Sequence, residues 1–253
     1  MDKTKSLVSI ILPVRNSEKY LSLCLKSLIK QSYKNIEIVA IDDNSTDNSF
    51  KILKRFAKKY KRIRVYRNIK NYGRAVTLNR LIKRAKALLV AFMGASDIIS
   101  KHRIEKQVKF LLKNPRIVLV GSQCIFINDN NKRIGKSKFP KENQFIYKSP
   151  LHGISMQFET VLINKSLLPK DALKFDVNSN PFLYSDIFIK LLPYGKFANL
   201  REFLHYRRSN PNIYFSDLRK NIVSLIGLLL KSVVNYKYRF SIRSLLLPLA
   251  RHQ

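Results

Sequence analysis

The chain has 253 residues, and 45% of them are hydrophobic, which is enough for one large α/β domain with a sizeable core. This composition excludes a globally disordered chain. The formal net charge is +33, from 49 Lys and Arg against 16 acidic residues, and favours a polyanionic partner such as nucleic acid, an anionic membrane or phosphorylated substrates. An A/T-rich genome that favours Lys, Asn and Ile codons explains the same excess equally well.

The cysteines and apolar runs bear on the cellular compartment. Cys24 and Cys124, the only cysteines, each sit among apolar residues without metal-ligand spacing, which predicts buried free thiols in a reducing cytosol. The apolar run at 7–12 is too short for a secretory signal and ends at Pro13. No segment reaches the ~20 apolar residues that span a bilayer. We therefore expect a cytoplasmic protein.

The chain up to residue 113 alternates between strand and helix patterns. Apolar, β-branched runs predict buried strands, and Pro13 is expected to end the first of them. Apolar residues at helical spacing follow, and Ser17 is the expected N-cap of the first helix. This alternation predicts a parallel sheet with right-handed crossovers. The predicted strands are residues 8–12, 36–41, 63–66 and 88–93.

Beyond Asn114 the pattern is less regular. A turn-forming run at 128–132 predicts a hairpin, and residues 187–192 have helical spacing. The sequence shows no internal repeat and no low-complexity linker, so we expect one domain with a C-terminal extension. Further strands or extended segments are predicted at 117–120, 124–127, 160–163 and 198–206.

The segment 216–253 differs in character from the rest of the chain. Residues 222–234 are nearly all apolar, and basic and aromatic residues follow them. One interpretation is a helix that packs on the domain. The other is a pair of amphipathic helices lying on the inner face of the membrane, where basic side chains meet anionic lipid.

Three loops are expected to converge at the carboxyl ends of the strands, where open α/β sheets bind ligands. They cover residues 13–16, 42–47 and 94–97, and residues 71–74 begin a helix beside them. A carboxylate at a strand end accepts hydrogen bonds from a base imino group or a ribose hydroxyl, while helix N-termini and Arg74 suit phosphate oxygens. The sequence contains neither the GxGxxG fingerprint nor a P-loop, which disfavours dinucleotide enzymes and P-loop proteins.

Four sequence blocks, in order, resemble family 2 glycosyltransferases of the GT-A fold. VSIILPVRNSEKYL is similar to that family's first strand and P-V-Y-N loop, and NIEIVAIDDNSTDNS is similar to its I-V-D-D-G-S-T-D stretch. NYGRAVTLNRLIKRAK resembles its N-x-G-x-x-x-x-x-N helix, and FMGASDI aligns with the D-x-D-D-like end of its fourth strand. The resemblance implies an α/β fold of GT-A type, with a Rossmann-like, mostly parallel sheet flanked by helices. We expect an amphipathic helical extension at its C-terminus.

The resemblance also implies roles for residues of the first half. Asp42 would bind the nucleobase, most often uracil, and Asp43 would act near the ribose. Arg74 would approach the base or the diphosphate, while Asn71 and Gly73 shape its loop. The alternatives are turn and N-cap duty for the two aspartates and a solvated helix start for Arg74. The expected nucleotide-binding residues are Pro13, Arg15, Asp42, Asp43, Asn71, Gly73 and Arg74.

The metal-binding motif departs from the family pattern. Ser96 stands where the family has its metal-binding carboxylate, and Gly94 and Ala95 precede it. A hydroxyl is a poor substitute for a carboxylate on Mg²⁺ or Mn²⁺. Asp97 is the remaining candidate ligand, and the lost carboxylates argue against the divalent metal that the resemblance implies. An Arg or Lys could replace the metal on a diphosphate.

The catalytic-base motif departs as well. YSDIFIKLLPYGKFANL resembles the helix after the family's catalytic E-D pair, and the pair itself falls on Leu183 and Tyr184. Asp186 aligns with a downstream aspartate and is the candidate catalytic residue if its loop shifts. Further acidic candidates are Asp97, Glu159 and Asp176. Two of the four histidines, His152 and His205, are expected to be structural.

The leading hypothesis is a glycosyltransferase that moves a sugar, with inversion, from a nucleotide donor (UDP in the first instance) to a cell-envelope glycan or lipid-linked acceptor. Residues 1–215 would form its domain, with a nucleotide-binding half at about 6–113 and an acceptor half at about 114–215. The basic tail, 216–253, would place the protein on the anionic inner face of the cell membrane. One alternative is a degenerate relative that binds nucleotide or a partner without turnover. The other is charge-driven nucleic-acid binding, although no recognised module for specific binding is present.

Overall fold

The computed structural model describes residues 6–209 and 220–239. Its strands are β1 (Val8–Val14), β2 (Ile36–Asp42), β3 (Ile63–Arg67), β4 (Leu89–Phe92), β5 (Ile98–Ile99), β6 (Ile117–Ile127), β7 (Arg133–Lys136), β8 (Leu162–Asn164) and β9 (Lys196–Arg208). They form one nine-stranded sheet in the order β3-β2-β1-β4-β8-β6-β9-β5, and β7 pairs with β6. Strands β1 to β4 are mutually parallel, whereas β8 runs antiparallel to both β4 and β6.

Helices cover both faces of this sheet. They are α1 (Glu18–Ile29), α2 (Ser49–Lys59), α3 (Arg74–Arg84), α4 (Arg103–Lys113), α5 (Asn143–Lys148), α6 (Leu183–Leu191) and α7 (Ile222–Tyr236). The prediction of an α/β fold with a mixed, mostly parallel sheet is therefore confirmed.

Two hydrophobic cores lie on opposite faces of the parallel strands, because successive side chains of a strand point to opposite sides. Ile11 of β1 packs in one core with Leu78 of α3. Ile10 packs in the other with Leu25 of α1 and Leu53 of α2. A strand covered on both faces is mostly apolar, which is why β1, β2 and β4 are nearly continuous apolar runs in the sequence.

The prediction that Pro13 ends the first strand is wrong. β1 continues to Val14, and Pro13 stays in register with Ile41 of β2. Pairing with β4 stops at Ile11, opposite Phe92, so β1 has one neighbour beyond that point. Proline is tolerated there because its missing N–H is not needed on the open side.

The prediction of separate strands at 117–120 and 124–127 is also wrong, because β6 is continuous across them. The intervening Gly121 and Ser122 are small enough to pack under β9. A Cβ on Gly121 would overlap Asn199 Oδ1, so glycine leaves room for the Asn199 side chain of β9. The hairpin predicted at 128–132 is present, since β7 pairs antiparallel with β6 across that turn. The short elements β5 and α5 were not predicted, since they hold too few residues for a detectable period.

The helix α7 has two different faces. Leu225, Leu228 and Leu229 are buried in the core shared with α6. Val223, Leu230 and Val234 are between 60% and 79% exposed on the other side. The domain boundary expected at 215 and the second tail helix expected beyond 239 lie outside the described residues. Neither described range contains a helix long and apolar enough to cross a membrane.

Candidate functional site

A cleft of about 120 Å³ opens where β1, β2 and the start of α3 meet at the carboxyl edge of the sheet. Every residue expected to bind nucleotide lies on its wall except Asp42. The lining residues are Pro13, Val14, Arg15, Asp43, Asn71, Gly73, Arg74 and Thr77.

Asp43 organises the loop that forms one wall of this cleft. Its Oδ1 accepts hydrogen bonds from Asn68 Nδ2 at 2.7 Å and from the backbone N–H of Tyr72 at 3.0 Å. Its Oδ2 accepts one from the backbone N–H of Gly73 at 3.0 Å. Gly73 has φ of 82°, a conformation that glycine adopts without strain. The carboxylate thus fixes the turn from which α3 and Arg74 emerge.

Asp42, by contrast, is fully buried and does not line the cleft. Its Oδ2 accepts a hydrogen bond from the backbone N–H of Ser45 at 3.1 Å and pairs with Arg67 Nε at 3.2 Å. No donor from the described residues reaches Oδ1. The structure therefore puts Asp43, rather than Asp42, against the space where a ligand would lie.

Two arginines stand on the wall of the cleft. Arg15 donates from Nη1 to the backbone carbonyl of Asp43 at 2.9 Å. Arg74 donates from Nη1 to Tyr184 Oη at 3.1 Å, and Tyr184 also raises the pKa of Arg74. Two guanidinium groups beside the N-terminus of α3 make this wall suited to an anion.

The sequence resemblance places Tyr184 where the family has its catalytic carboxylate. Its ring stacks on Phe158, with centroids 4.3 Å apart and planes 7° from parallel. Burial raises the pKa of Tyr184, although Arg74 opposes the shift, so the phenol stays protonated at neutral pH. A protonated phenol donates a hydrogen bond and is a poor general base.

Asp186, the candidate catalytic residue, is directed away from the cleft. It is fully buried, and its Oδ1 accepts hydrogen bonds from Lys231 Nζ at 2.9 Å and Tyr236 Oη at 3.1 Å. Lys231 also binds Asp176 Oδ2 at 2.7 Å. Burial lowers the pKa of Lys231, but the two carboxylates outweigh it and raise that pKa well above its usual value. Asp186 thus anchors α7 in this structure, and the catalytic role expected for it is not supported.

Asp97, the remaining carboxylate of the altered metal motif, is fully buried. Its Oδ2 accepts hydrogen bonds from Arg207 Nη1 and His205 Nε2, each at 3.0 Å, and its Oδ1 accepts one from the backbone N–H of Arg208 at 2.9 Å. Burial would raise the pKa of Asp97, but the Arg207 charge and the His205 hydrogen bond hold it well below its usual range. Nitrogen donors therefore saturate this carboxylate.

The residues around Asp97 do not fit a divalent metal. Gly94 and Ser96 bring no carboxylate, and a Cβ on Gly94 would lie 2.6 Å from Asp97 Oδ2. Across residues 6–209 and 220–239, no group of three or more His, Cys, Asp or Glu side chains could hold a metal ion. The arrangement does not support Asp97 as a ligand for Mg²⁺ or Mn²⁺, which take several oxygen ligands.

Asp97 belongs to a larger set of interlocked charges, which we call the buried charge cluster: Asp97, Arg103, Glu159, His205 and Arg207. Arg207 bridges the two acids, since its Nη2 lies 3.3 Å from Glu159 Oε1. Arg103 is fully buried, and its Nη2 donates to the backbone carbonyls of Phe92 and Val161, each at 3.2 Å. Burial lowers the pKa of Arg103 to about 9.

Arg103 was missed in the sequence, although one signal pointed to it. Arg103 and Gln107 stand four residues apart on the same stripe of α4 as the buried Leu111. Polar residues on an apolar stripe indicate buried hydrogen bonding. Gln107 indeed donates to the carbonyls of Val120 at 3.0 Å and Thr160 at 2.7 Å.

His152 and His205 both stabilise the fold. His152 Nδ1 accepts a hydrogen bond from the backbone N–H of Phe158 at 3.2 Å, and burial lowers the pKa of His152 to about 4. His205 Nδ1 lies 3.3 Å from Arg103 Nη1, which can only donate, so the proton assigned to His205 is on Nε2, facing Asp97. The acceptor nitrogen of each ring is therefore occupied within the fold.

A larger cavity, of about 880 Å³, lies elsewhere in the molecule. It is lined by Phe110, Asn143 and Arg201 among others, at the amino ends of β6 and β9. Because ligands of open α/β sheets bind at the carboxyl ends of the strands, its position does not suit the donor site of this fold.

Comparisons with known proteins agree with this architecture. A glucosyltransferase of Escherichia coli, WfgD, described as a UDP-Glc:alpha-D-GlcNAc-diphosphoundecaprenol beta-1,3-glucosyltransferase, is 31% identical over 182 residues, covering 72% of this chain and 69% of the relative. An uncharacterized glycosyltransferase of Haemophilus influenzae is 33% identical over 161 residues, covering 63% of this chain and 62% of the relative.

The structure of Staphylococcus aureus TarS residues 1–349 in complex with UDP superposes with a TM-score of 0.67 at 22% identity, covering 87% of this chain and 65% of TarS 1–349. The chain thus spans less than two thirds of the Haemophilus relative and of this solved structure. The family model for Glycosyl transferase family 2 matches residues 9–167. The chain belongs to glycosyl transferase family 2.

Proposed function

We propose that this chain is a glycosyltransferase that takes a sugar from a UDP-linked donor and transfers it, with inversion, to a cell-envelope glycan or lipid-linked acceptor. The observation that carries this function is the cleft itself, in which a carboxylate-braced loop and two guanidinium groups meet at the start of α3. UDP in the TarS structure and the diphosphoundecaprenol-linked acceptor in the name of WfgD support the donor and acceptor classes.

In this function the nucleoside lies against Asp43 and the loop that Asp43 braces. The diphosphate faces Arg74 and the positive end of α3, where a developing negative charge is stabilised. The acceptor hydroxyl attacks the anomeric carbon and releases its proton to solvent, the bond from that carbon to the diphosphate oxygen breaks, and UDP leaves with the bonding electron pair. Residues 6–113 supply the donor half, and the part beyond residue 114 supplies the acceptor half.

The test is an assay of hydrolysis and transfer with UDP-, GDP- and dTDP-sugars, each with Mn²⁺ and with EDTA. We expect turnover with a UDP-sugar and a loss of about tenfold or more on Arg74→Met, since a charged hydrogen bond to phosphate is removed. Arg201→Met is the matched control, because Arg201 is exposed and lies on the far cavity. A folded sample that turns over none of these donors would refute the proposal.

A second candidate is a relative that binds the nucleotide without turnover. One observation favours it: the candidate catalytic residue Asp186 is bound by Lys231. The sequence resemblance also places Tyr184 where the family has its catalytic carboxylate. Calorimetry distinguishes the two functions, since this candidate predicts UDP binding together with no transfer to any acceptor. Measured turnover would exclude it.

We also propose that the exposed face of α7 meets an anionic membrane surface, which would place the protein on the inner face of the membrane. Val223, Leu230 and Val234 form an exposed apolar stripe, and the basic Lys237 and Arg239 follow it. Such a pairing suits acyl chains and anionic headgroups together. We expect co-sedimentation with phosphatidylglycerol vesicles but not with phosphatidylcholine vesicles.

The membrane proposal is tested by placing charge on the stripe. The double variant Leu230→Glu with Val234→Glu should lose vesicle binding. Leu88→Glu is the control, because Leu88 is also exposed (61%) but lies outside α7. Equal binding of both variants and the wild type would contradict the role of α7.

A further inference from the structure

The altered metal motif at residues 94–97 is bound by a cationic side chain, Arg207. Gly94 stands where the family pattern begins its acidic motif, and a Cβ there would lie 2.6 Å from Asp97 Oδ2 and 3.2 Å from Arg207 Nη1. A side chain at position 94 would displace the pair of Asp97 and Arg207 from this geometry. Glycine at position 94, where the family has an acidic residue, therefore makes room for this ion pair.

Arg207 is fixed on two sides within the buried charge cluster. Nη1 donates to Asp97 Oδ2 at 3.0 Å, and Nη2 lies 3.3 Å from Glu159 Oε1. The next residue along β9, Arg208, donates from Nε to the backbone carbonyl of Ser96 at 3.1 Å. Two guanidinium groups thus hold the turn at 94–97 in the place where the family uses carboxylates and a metal.

The Arg207 guanidinium also reaches the open side of the molecule. Its side chain is 19% exposed, whereas the side chains of Asp97 and His205 are fully buried. The Arg207 charge acts on both Arg74 and Tyr184, which puts the three groups within electrostatic range of one another. Gly94 follows β4, the strand next to β1, so this cation stands at the same edge of the sheet as the cleft.

Resting on the donor-binding function proposed above, we propose that Arg207, together with Arg74, binds the donor diphosphate in place of a divalent cation. A guanidinium is planar, permanently charged and matched to phosphate oxygens, so it can carry the electrostatic part of a metal's role. Its two acidic neighbours hold it in position before the ligand arrives, which lowers the entropy cost of binding.

The experiment measures UDP and uridine binding by calorimetry, in Mn²⁺ and in EDTA, for the full chain. We expect wild-type protein to bind UDP with the same affinity in both buffers. Arg207→Met should weaken UDP binding by about 10- to 100-fold, while uridine, which lacks phosphate, should bind as before. Arg201→Met, on the same strand but exposed, is the matched control and should bind UDP like the wild type.

Arg207→Lys separates the role of the charge from that of the fold. Lysine keeps a cation beside Asp97 but loses the two-pronged geometry, so UDP affinity should fall less than in Arg207→Met. If Arg207→Met fails to fold, the UDP affinity of Arg207→Lys and the metal dependence of wild-type binding decide whether Arg207 binds the diphosphate. An affinity of Arg207→Lys equal to that of Arg207→Met would argue that the charge plays no part.

The outcomes separate this inference from the proposed function. UDP binding that requires Mn²⁺, or that survives Arg207→Met unchanged, overturns the inference and leaves donor binding intact. Absence of binding by wild-type protein to every nucleoside diphosphate, with and without Mn²⁺, overturns the proposed function itself. Metal-independent UDP binding that depends on Arg207 supports both.

Discussion

Replacing Asp43 with Asn tests whether the cleft depends on a carboxylate that braces its wall. The side chain is buried and accepts from three N–H donors, of Asn68, Tyr72 and Gly73, at 2.7 to 3.0 Å. An amide offers one acceptor oxygen, and its NH₂ group would then face a backbone N–H. With the oxygen kept toward Asn68 and Tyr72, the N–H of Gly73 keeps only its longer hydrogen bond, to Asn71 Oδ1 at 3.2 Å.

The expected loss of stability in Asp43→Asn follows from these contacts. Losing the charged hydrogen bond to Gly73 costs about 1.5–3 kcal/mol. For a chain of this length each kcal/mol shifts the melting temperature by about 2–4 °C, so Asp43→Asn should melt about 3–12 °C lower. Because the loop also carries Gly73 and Arg74, UDP affinity should fall by more than about tenfold.

The assay is thermal unfolding followed by circular dichroism, together with calorimetry of UDP binding. Asp129→Asn is the matched control, because Asp129 is 68% exposed and pairs only at the surface with Lys19. Its melting temperature and UDP affinity should not change. If Asp43→Asn melts and binds like the wild type, the carboxylate does not brace the loop and the reasoning is refuted.

Three further predictions concern stability. Lys231→Met should lower the free energy of unfolding by about 1–3 kcal/mol in denaturant titration, because it leaves the buried Asp186 without its cation. Lys237 is exposed, so Lys237→Met is the control and should have no effect. Gly227→Ala should raise the melting temperature, because its Cβ would enter open space within α7 and alanine is favoured over glycine in a helix by about 1 kcal/mol. Gly94→Ala should lower the melting temperature, because its Cβ would lie 2.6 Å from Asp97 Oδ2. The pKa of Asp97 is lowered on folding, so its contribution is complete above the unfolded value of about 3.9 and is lost as pH falls through the folded value. Acid unfolding should therefore be less steep for Asp97→Asn than for the wild type, and equal slopes would contradict this origin.

The first half of the fold was predictable because its signals are local. The strands β1, β2 and β4 are covered on both faces, so each is a nearly continuous apolar run that the sequence displays directly, whereas the edge strand β3 is only partly buried. The loops after these strands contain the cleft residues, and parallel strands bring their carboxyl ends to one edge. Asp43, Gly73 and Arg74 could therefore be placed together from the sequence, although their roles in binding stay predictions.

The direction in which a carboxylate points was not predictable from the sequence. Asp42 and Asp43 are neighbours in the chain, yet Asp42 turns inward to Arg67 and Asp43 faces the cleft. Asp186 stands in a helix that resembles a catalytic segment, but it binds Lys231, which lies 45 residues further on.

The family membership, the parallel half of the sheet and the loops of the cleft were determined by the sequence itself, because short-range periodicity and local motifs encode them. The binding partners of the altered motif at 94–97 were determined only by the tertiary structure. Asp97 meets His205 and Arg207 across separations of 108 and 110 residues, and no local pattern records such a contact. A carboxylate that could bind a metal ion in the linear sequence is therefore the buried partner of an arginine in the folded chain.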